Sequence, residues 1–227
     1  MYHVKAPETV SIAVSTGGAF PVRRIYCVGR NYRAHAIEMG FDPDREAPFF
    51  FLKPADAIVP SGSTVAYPPR TADYQHEIEL VVAIGKGGKD IPAEQAAEHI
   101  FGYAVGLDMT RRDLQLTARK AGRPWDMGKG FDQSAPCGTI TPIAETGELT
   151  GGAIDLTVNG ETRQASDLAL LIWSVREVIA DLSTYCELAP GDLIFTGTPE
   201  GVGPVGPGDE LIGRIDGLDD LKIRIAG

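Results

Sequence analysis

The segment His76-Glu77-Ile78-Glu79-Leu80 carries two glutamates into the apolar run Ile78–Ile84, which has the composition of a strand. Alternate residues of an extended chain share a face, so Glu77 and Glu79 stand on one side and Ile78 and Leu80 on the other. Same-face neighbours lie about 6.5–7 Å apart at a rise near 3.3 Å per residue. Two glutamates repel at that distance, and glutamate is a poor strand former. An isolated pattern of this kind is most simply a solvated face. Asp108 changes the weighing. It ends a second apolar run, Phe101–Leu107, and an acidic residue at a strand's mouth often faces a cleft. If the three carboxylates converge, they are hard oxygen ligands suited to Mg²⁺, Mn²⁺ or Ca²⁺ and not to zinc. No spacing rule proves that they do.

His35 and Glu38 sit three apart in a stretch of helical composition, Asn31 to Gly40, and so share a face. A carboxylate beside an imidazole fixes its tautomer and raises its basicity, which suits a general base acting on water. The bland alternative is a surface pair worth a few tenths of a kcal/mol. Gly29 and Gly40 flank the stretch and could hinge a lid that excludes water. Lys129, between Gly128 and Gly130, can bring an ammonium close to a substrate oxyanion. Arg112 and Gln115 share a helical face and can hold a carboxylate or keto oxygen. Thr196-Gly197-Thr198-Pro199 is a strand end entering a turn, whose hydroxyl and backbone N–H groups can cradle a carboxylate. Each of these alone is more often a structural turn or a surface charge.

Such residues need elements to hold them. Glycine (27) and proline (16) make about a fifth of the 227 residues, which implies many turns and a strand-rich α+β fold, not a helix bundle. The length suits one domain over residues 1–227, with 1–20 as an N-terminal strand or hairpin extension. Thr9–Val14 and Arg23–Val28 read as strands around Thr16-Gly17-Gly18. Phe49–Leu52 is a short apolar run closed by Lys53-Pro54. Pro92–His99 and Arg111–Lys120 read as helices, the latter stopped by Gly122-Arg123-Pro124. Ile154–Val158 and Glu161–Gln164 flank Asn159-Gly160, a strong hairpin signal. Leu168, Leu171, Ile172, Val175, Val178, Ile179 and Leu182 recur at helical spacing, so one long helix capped by Asp167 is expected there. Leu193–Thr196, Glu210–Ile215 and Leu221–Ile225 read as closing strands.

The net charge of −10, with no basic stripe to offset it, argues against nucleic acid or an anionic membrane as partner. An anionic substrate would then need local positive charge or a metal. Residues Met1 to Val14 lack the pattern of a signal peptide, and no run approaches the roughly 18 apolar residues of a membrane span, so a cytoplasmic protein is expected. Cys27, Cys137 and Cys186 are widely spaced and read as reduced core thiols. Gly201-Val-Gly203-Pro-Val-Gly206 matches a dinucleotide fingerprint, but Pro204, Pro207 and Gly208 forbid the helix that must follow. Gly122 to Lys129 fails as a phosphate loop, with five intervening residues and no Ser or Thr after the lysine.

The set resembles the fumarylacetoacetate hydrolase family from about Ile25 to the C-terminus. The matching stretches are Gly29-Arg-Asn-Tyr-Arg-Ala-His35-Ala-Ile-Glu38-Met-Gly, Phe51-Leu-Lys53-Pro, His76-Glu77-Ile-Glu79-Leu, Gly106-Leu-Asp108-Met-Thr-Arg-Arg112-Asp-Leu-Gln115, Trp125-Asp-Met-Gly-Lys129-Gly-Phe-Asp132 and Thr196-Gly-Thr198-Pro-Glu-Gly-Val-Gly. The resemblance implies a mixed β-sandwich around a rolled sheet, usually as a homodimer. It implies Glu77, Glu79 and Asp108 as ligands of Mg²⁺ or Mn²⁺, and His35 with Glu38 as a water-activating dyad on a lid. Lys129 would polarise the substrate, while Arg112, Gln115, Gly197 and Thr198 would bind its carboxylate and oxo groups.

The implied reaction is hydrolysis of a carbon–carbon bond in a small 2,4-dioxo acid. Water deprotonated by His35 attacks the C4 carbonyl, and the C3–C4 bond breaks as an enolate stabilised by the metal departs. Arg119 and the run Ala121-Gly-Arg-Pro-Trp125 look most like members that split fumarylpyruvate into fumarate and pyruvate. Arg30, Arg33 or Arg111 would then meet the distal carboxylate. Acylpyruvases, oxaloacetate decarboxylases and isomerases of 2-hydroxy-diene-dioates share nearly all these motifs. A metal-stabilised protein without turnover is the alternative from another class.

Overall fold

A computed structural model of the chain describes residues 3–38 and 46–227. Strands dominate it, as the glycine and proline content implies. The larger sheet runs in the order Phe49–Lys53, Arg24–Gly29, Asp192–Phe195, Ile78–Ile84, Ile100–Leu107, Ala135–Cys137, Ile58–Pro60, and Thr141–Pro142 also pairs with Ile100–Leu107. It is mixed. Asp192–Phe195 lies parallel to Arg24–Gly29 and antiparallel to Ile78–Ile84. A five-stranded sheet packs over it in the order Glu161–Asp167, Ala153–Val158, Glu210–Ile215, Leu221–Ile225, Ser63–Val65.

The central strand Ile78–Ile84 is buried along its whole length, and alternation explains how. Ile78, Leu80, Val82 and Ile84 join the core between the two sheets, with Val105, Leu107, Leu156, Leu211 and Ile223. Val81 and Ala83 face the opposite way into a second cluster with Ile12, Phe20, Ile25, Leu193 and Phe195. A strand buried on both faces has no solvated side, so the glutamate at position 79 needs an internal partner.

Asn159 and Gly160 adopt φ values of 52° and 81° and join Ala153–Val158 to Glu161–Asp167, the left-handed pair that a two-residue hairpin requires. The N-terminal hairpin pairs Ser11–Ala13 with Ala19–Pro21, while Arg24–Gly29 belongs to the larger sheet. The expected partner strand was therefore one element too late. Ala93–His99 is a 3-10 helix, and Arg112–Lys120 is α-helical.

The expected long helix from Leu168 is two elements. Asp167 caps a 3-10 turn, Leu168–Leu170, by accepting from the Ala169 N–H. The α-helix starts later, at Val175–Tyr185, under a capping box between Ser174 and Glu177. The intervening backbone is used elsewhere. Ile172 N donates to the Asn31 carbonyl at 2.8 Å, and Trp173 N to Asn31 Oδ1 at 2.7 Å. Apolar spacing continues across this break because both pieces face the same core. The near-dinucleotide segment forms a two-residue strand, Gly203–Pro204, against Tyr74–His76.

Candidate active site

Glu77 and Glu79 enter the central strand, and Asp108 follows the adjacent strand Ile100–Leu107. Antiparallel pairing sets Ile78 opposite Leu107 and Glu79 opposite Gly106, which carries all three carboxylates to one end of the sheet. One oxygen from each lies within 4.8 Å of the others, and all three residues are buried. Gly106 is required there, since a Cβ would come within 2.4 Å of Val81 Cγ2. Among the described residues this is the one grouping of three His, Cys, Asp or Glu side chains able to hold a metal ion.

Three cations balance them. Lys129 Nζ donates to Glu77 Oε2 at 2.8 Å, Asp108 Oδ2 at 2.6 Å and Thr110 Oγ1 at 2.7 Å. Arg112 Nη2 bonds Glu77 Oε1. Lys53 Nζ lies 2.8 Å from Asp108 Oδ1 and also donates to the carbonyls of Met109 and Lys129. Residue type and spacing assign no role to Lys53 or Thr110; the signal present in the sequence is a lysine that closes an aromatic run. The short helix Asp126–Lys129 that delivers Lys129 packs closely on Arg112–Lys120, where a Cβ on Gly128 would meet Gln115 atoms at 2.9 Å.

The carboxylates differ in charge compensation. Burial pushes the Glu77 carboxyl up, but Lys129 and Arg112 overcome it and hold it well below the usual range. Glu79 is pushed well above that range by burial and by the Asp108 and Glu77 charges, and its bond from the Gly197 N–H, at 2.8 Å, offsets this only in part. Asp108 Oδ1 is buried and makes no aligned hydrogen bond, although the Lys53 ammonium stands close. An under-compensated carboxylate beside an oxygen with an unused lone pair fits a hard divalent cation, and the all-oxygen donor set fits Mg²⁺ or Mn²⁺.

Of the remaining candidates, His35, Arg112, Gln115, Lys129 and Thr198 line the same cleft as the three carboxylates, while Glu38 and Gly197 do not. His35 is buried on the helix Arg33–Glu38, and its Nδ1 lies 3.2 Å from Glu38 Oε2. Glu38 also accepts from the Gly201 N–H at 3.3 Å. Gly40, the expected second hinge, lies outside the described residues. Arg112 Nη1 donates to Gln115 Oε1 at 2.6 Å, which turns the Gln115 NH₂ outward as a donor. Gly197 has φ 99°, and its N–H points at Glu79 and not into the cleft. Its amide thus orients the Glu79 carboxylate. Asn31 fastens the base of the His35 segment, its Nδ2 donating to the Trp173 and Thr196 carbonyls at 2.9 and 2.8 Å.

Of the three arginines considered for a distal carboxylate, Arg30 lines the cleft. Arg33 is exposed on another groove, and Arg111 stacks 4.2 Å over the Phe131 ring. Arg119 joins Arg30 in the cleft wall beside Phe51 and Trp125.

A family model for the C-terminal region of fumarylacetoacetate (FAA) hydrolase matches residues 24–226. The chain is 54% identical over 184 residues to a fumarylpyruvate hydrolase of Ralstonia sp., covering 81% of this chain and 95% of that protein. It is 41% identical over 199 residues to an oxaloacetate tautomerase of Escherichia coli, covering 87% and 90%. Among solved structures, fumarylpyruvate hydrolase from Pseudomonas aeruginosa, in complex with Mn²⁺ and pyruvate, superposes with a TM-score of 0.97 at 59% identity over 99% of each chain. Motifs, fold and relatives agree: the chain belongs to the fumarylacetoacetate hydrolase family.

Proposed function

We propose that this protein is a Mg²⁺- or Mn²⁺-dependent hydrolase that splits fumarylpyruvate and water into fumarate and pyruvate. The observation that carries this is one cleft lined by both the carboxylate triad Glu77, Glu79, Asp108 and by His35, itself paired with Glu38. The two ends supply what a carbon–carbon hydrolysis needs, an electrophilic centre for the oxo acid and a base for water.

With Nδ1–H donating to Glu38, the His35 Nε2 lone pair is left for water, and the imidazole takes the proton as water attacks C4. Arg112, the Gln115 NH₂ and the Thr198 hydroxyl hold the carboxylate and oxo oxygens of the pyruvyl end. Lys129 places fixed positive charge beside the oxygens that gain charge. A divalent cation, when bound to the triad, supplies Lewis acidity to the oxo-acid end of the substrate and so favours release of the enolate. The C3–C4 bond breaks, C3 takes up a proton, and C4 becomes the new carboxylate of fumarate.

Selection of a dicarboxylic acyl group is supported by Arg30 and Arg119. Burial and then the charge of Arg119 lower the Arg30 pKa, with Glu46 opposing. Two guanidiniums close enough to repel are well placed for a second carboxylate. The proposal extends to a single catalytic domain over residues 1–227 and to a cytoplasmic homodimer. No helix among the described residues is long and apolar enough to cross a membrane. A second copy is supported by the edge strand Phe49–Lys53, where Leu52 is 54% exposed.

The test follows the absorbance of fumarylpyruvate and acetylpyruvate with Mg²⁺ and then with excess EDTA, for wild type and His35→Ala. EDTA-sensitive loss of fumarylpyruvate with fumarate and pyruvate as products is expected. His35→Ala should lower kcat by roughly 10²–10⁴-fold while metal binding survives. Faster loss of acetylpyruvate moves the protein to the acylpyruvases. Proton exchange without cleavage favours a tautomerase like the E. coli relative, and no metal-dependent turnover defeats the hydrolase reading.

A further inference from the structure

Gln164 lies outside every motif that carries the site. It stands in Glu161–Asp167 of the smaller sheet, 1% exposed, yet its carboxamide reaches the ends of two other segments. Oε1 accepts from the Ile78 N–H at 3.0 Å and faces His76 Nδ1 at 3.0 Å. Nε2 donates to Thr198 Oγ1 at 2.8 Å and to the Pro199 carbonyl at 2.9 Å.

These partners decide which way round the amide sits. A backbone N–H can only donate and a backbone carbonyl can only accept, so Oε1 belongs at Ile78 and Nε2 at Pro199. The same orientation requires a proton on His76 Nδ1. It also presents the Thr198 hydroxyl with a donor. One lone pair of Oγ1 is therefore taken, and the hydroxyl's single proton has to point elsewhere. Thr198 lines the cleft, and in the functional reading above the pyruvyl carboxylate stands there as an acceptor for that proton.

We infer that Gln164 is a positioning residue that locks the Thr198 hydroxyl as a hydrogen-bond donor toward the carboxylate of the substrate. This rests on the reading above, in which Thr198 meets the pyruvyl end of a dioxo acid. Threonine alone is ambivalent, since its hydroxyl rotor can offer either a proton or a lone pair. A carboxylate accepts only, and a rotor turned the wrong way sets two lone pairs against each other. The Gln164 amide removes that choice before substrate arrives. It also couples the smaller sheet, which carries no residue touching substrate in this reading, to the selection of an anion.

Gln164→Glu separates this role from plain packing. A carboxylate still accepts from Ile78 N–H and His76 Nδ1–H, but it no longer donates to Thr198 Oγ1 or to the Pro199 carbonyl, so Thr198 turns its proton onto it. Steady-state kinetics on fumarylpyruvate with Mg²⁺ should show KM raised roughly tenfold with kcat within about threefold, the pattern of lost binding shared by ground and transition states. Thr198→Val should raise KM comparably, and Gln164→Glu added to Thr198→Val should raise it no further. Thr198→Ser, which keeps the hydroxyl, should restore sensitivity to Gln164→Glu. If Gln164→Glu does not fold, Gln164→Met, of similar bulk and without a donor, is read by the same cycle. An unmoved KM, or effects that multiply across the cycle, overturns the inference alone. Absence of wild-type turnover overturns the functional reading and this one with it.

Discussion

Lys53→Met removes a charge that no solvent can replace. The ammonium is fully buried 2.8 Å from Asp108 Oδ1, whose side chain is also fully buried. At an effective dielectric near 20, two unit charges at that separation attract by about 6 kcal/mol. Desolvation of both groups offsets much of this. What the substitution exposes is the residual cost of a buried carboxylate that keeps Lys129 at 2.6 Å but loses the second of its two ammonium partners, about 3–5 kcal/mol. Methionine matches the stem in bulk, so little of the loss comes from packing. The carbonyls of Met109 and Lys129 lose a donor as well, which places the cost toward the upper end. For a chain of this size each kcal/mol moves Tm by about 2–4 °C, so a fall of roughly 6–20 °C is expected. Melting followed by circular dichroism in EDTA measures it. Asp108→Asn in the Lys53→Met background should recover part of the loss, because the under-compensated charge goes with it. A Tm within about 2 °C of wild type, or strictly additive losses in the double variant, would refute the view that Lys53 is an internal counter-ion of Asp108.

Arg119→Gln should lower kcat/KM for fumarylpyruvate by roughly 10–100-fold through one lost charged hydrogen bond, with acetylpyruvate changed less than about threefold; equal losses on both substrates would remove Arg119 from distal recognition. Thiol labelling at pH 8 should modify Cys186 alone in the folded protein. Burial raises the Cys137 thiol to about 12 and pushes Cys27 well above its ordinary value. A raised pKa empties the thiolate, leaving about one Cys137 in 10⁴ reactive at pH 8. Mass spectrometry that finds Cys27 or Cys137 modified as fast as Cys186 would contradict that burial.

Alternation placed Glu77 and Glu79 on one face, and the two apolar runs behind them became the paired strands Ile78–Ile84 and Ile100–Leu107. Asn159-Gly160 specified its hairpin because the required left-handed backbone is a property of those two residues. The order of motifs was enough for the family, and the separation of His35 from Glu38 was enough for their pairing. Features of this kind depend on neighbours a few positions away, which is the range over which backbone geometry dictates where side chains point.

Other features were decided only by the folded chain. The helix expected from Leu168 breaks because Ile172 and Trp173 bond to Asn31, about 140 residues earlier, and a hydrophobic period contains no trace of that competition. Lys53 reads as the polar end of an aromatic strand until Asp108 arrives beside it from another strand. Gly197 reads as a cradle for substrate, yet its N–H is taken by Glu79, and Gln164 acquires its role from two segments remote in sequence. The physical reason is common to all of them. Local geometry determines which way a group faces, whereas the compensation of a buried charge or dipole depends on what the fold brings within about 3 Å of it, from anywhere in the chain.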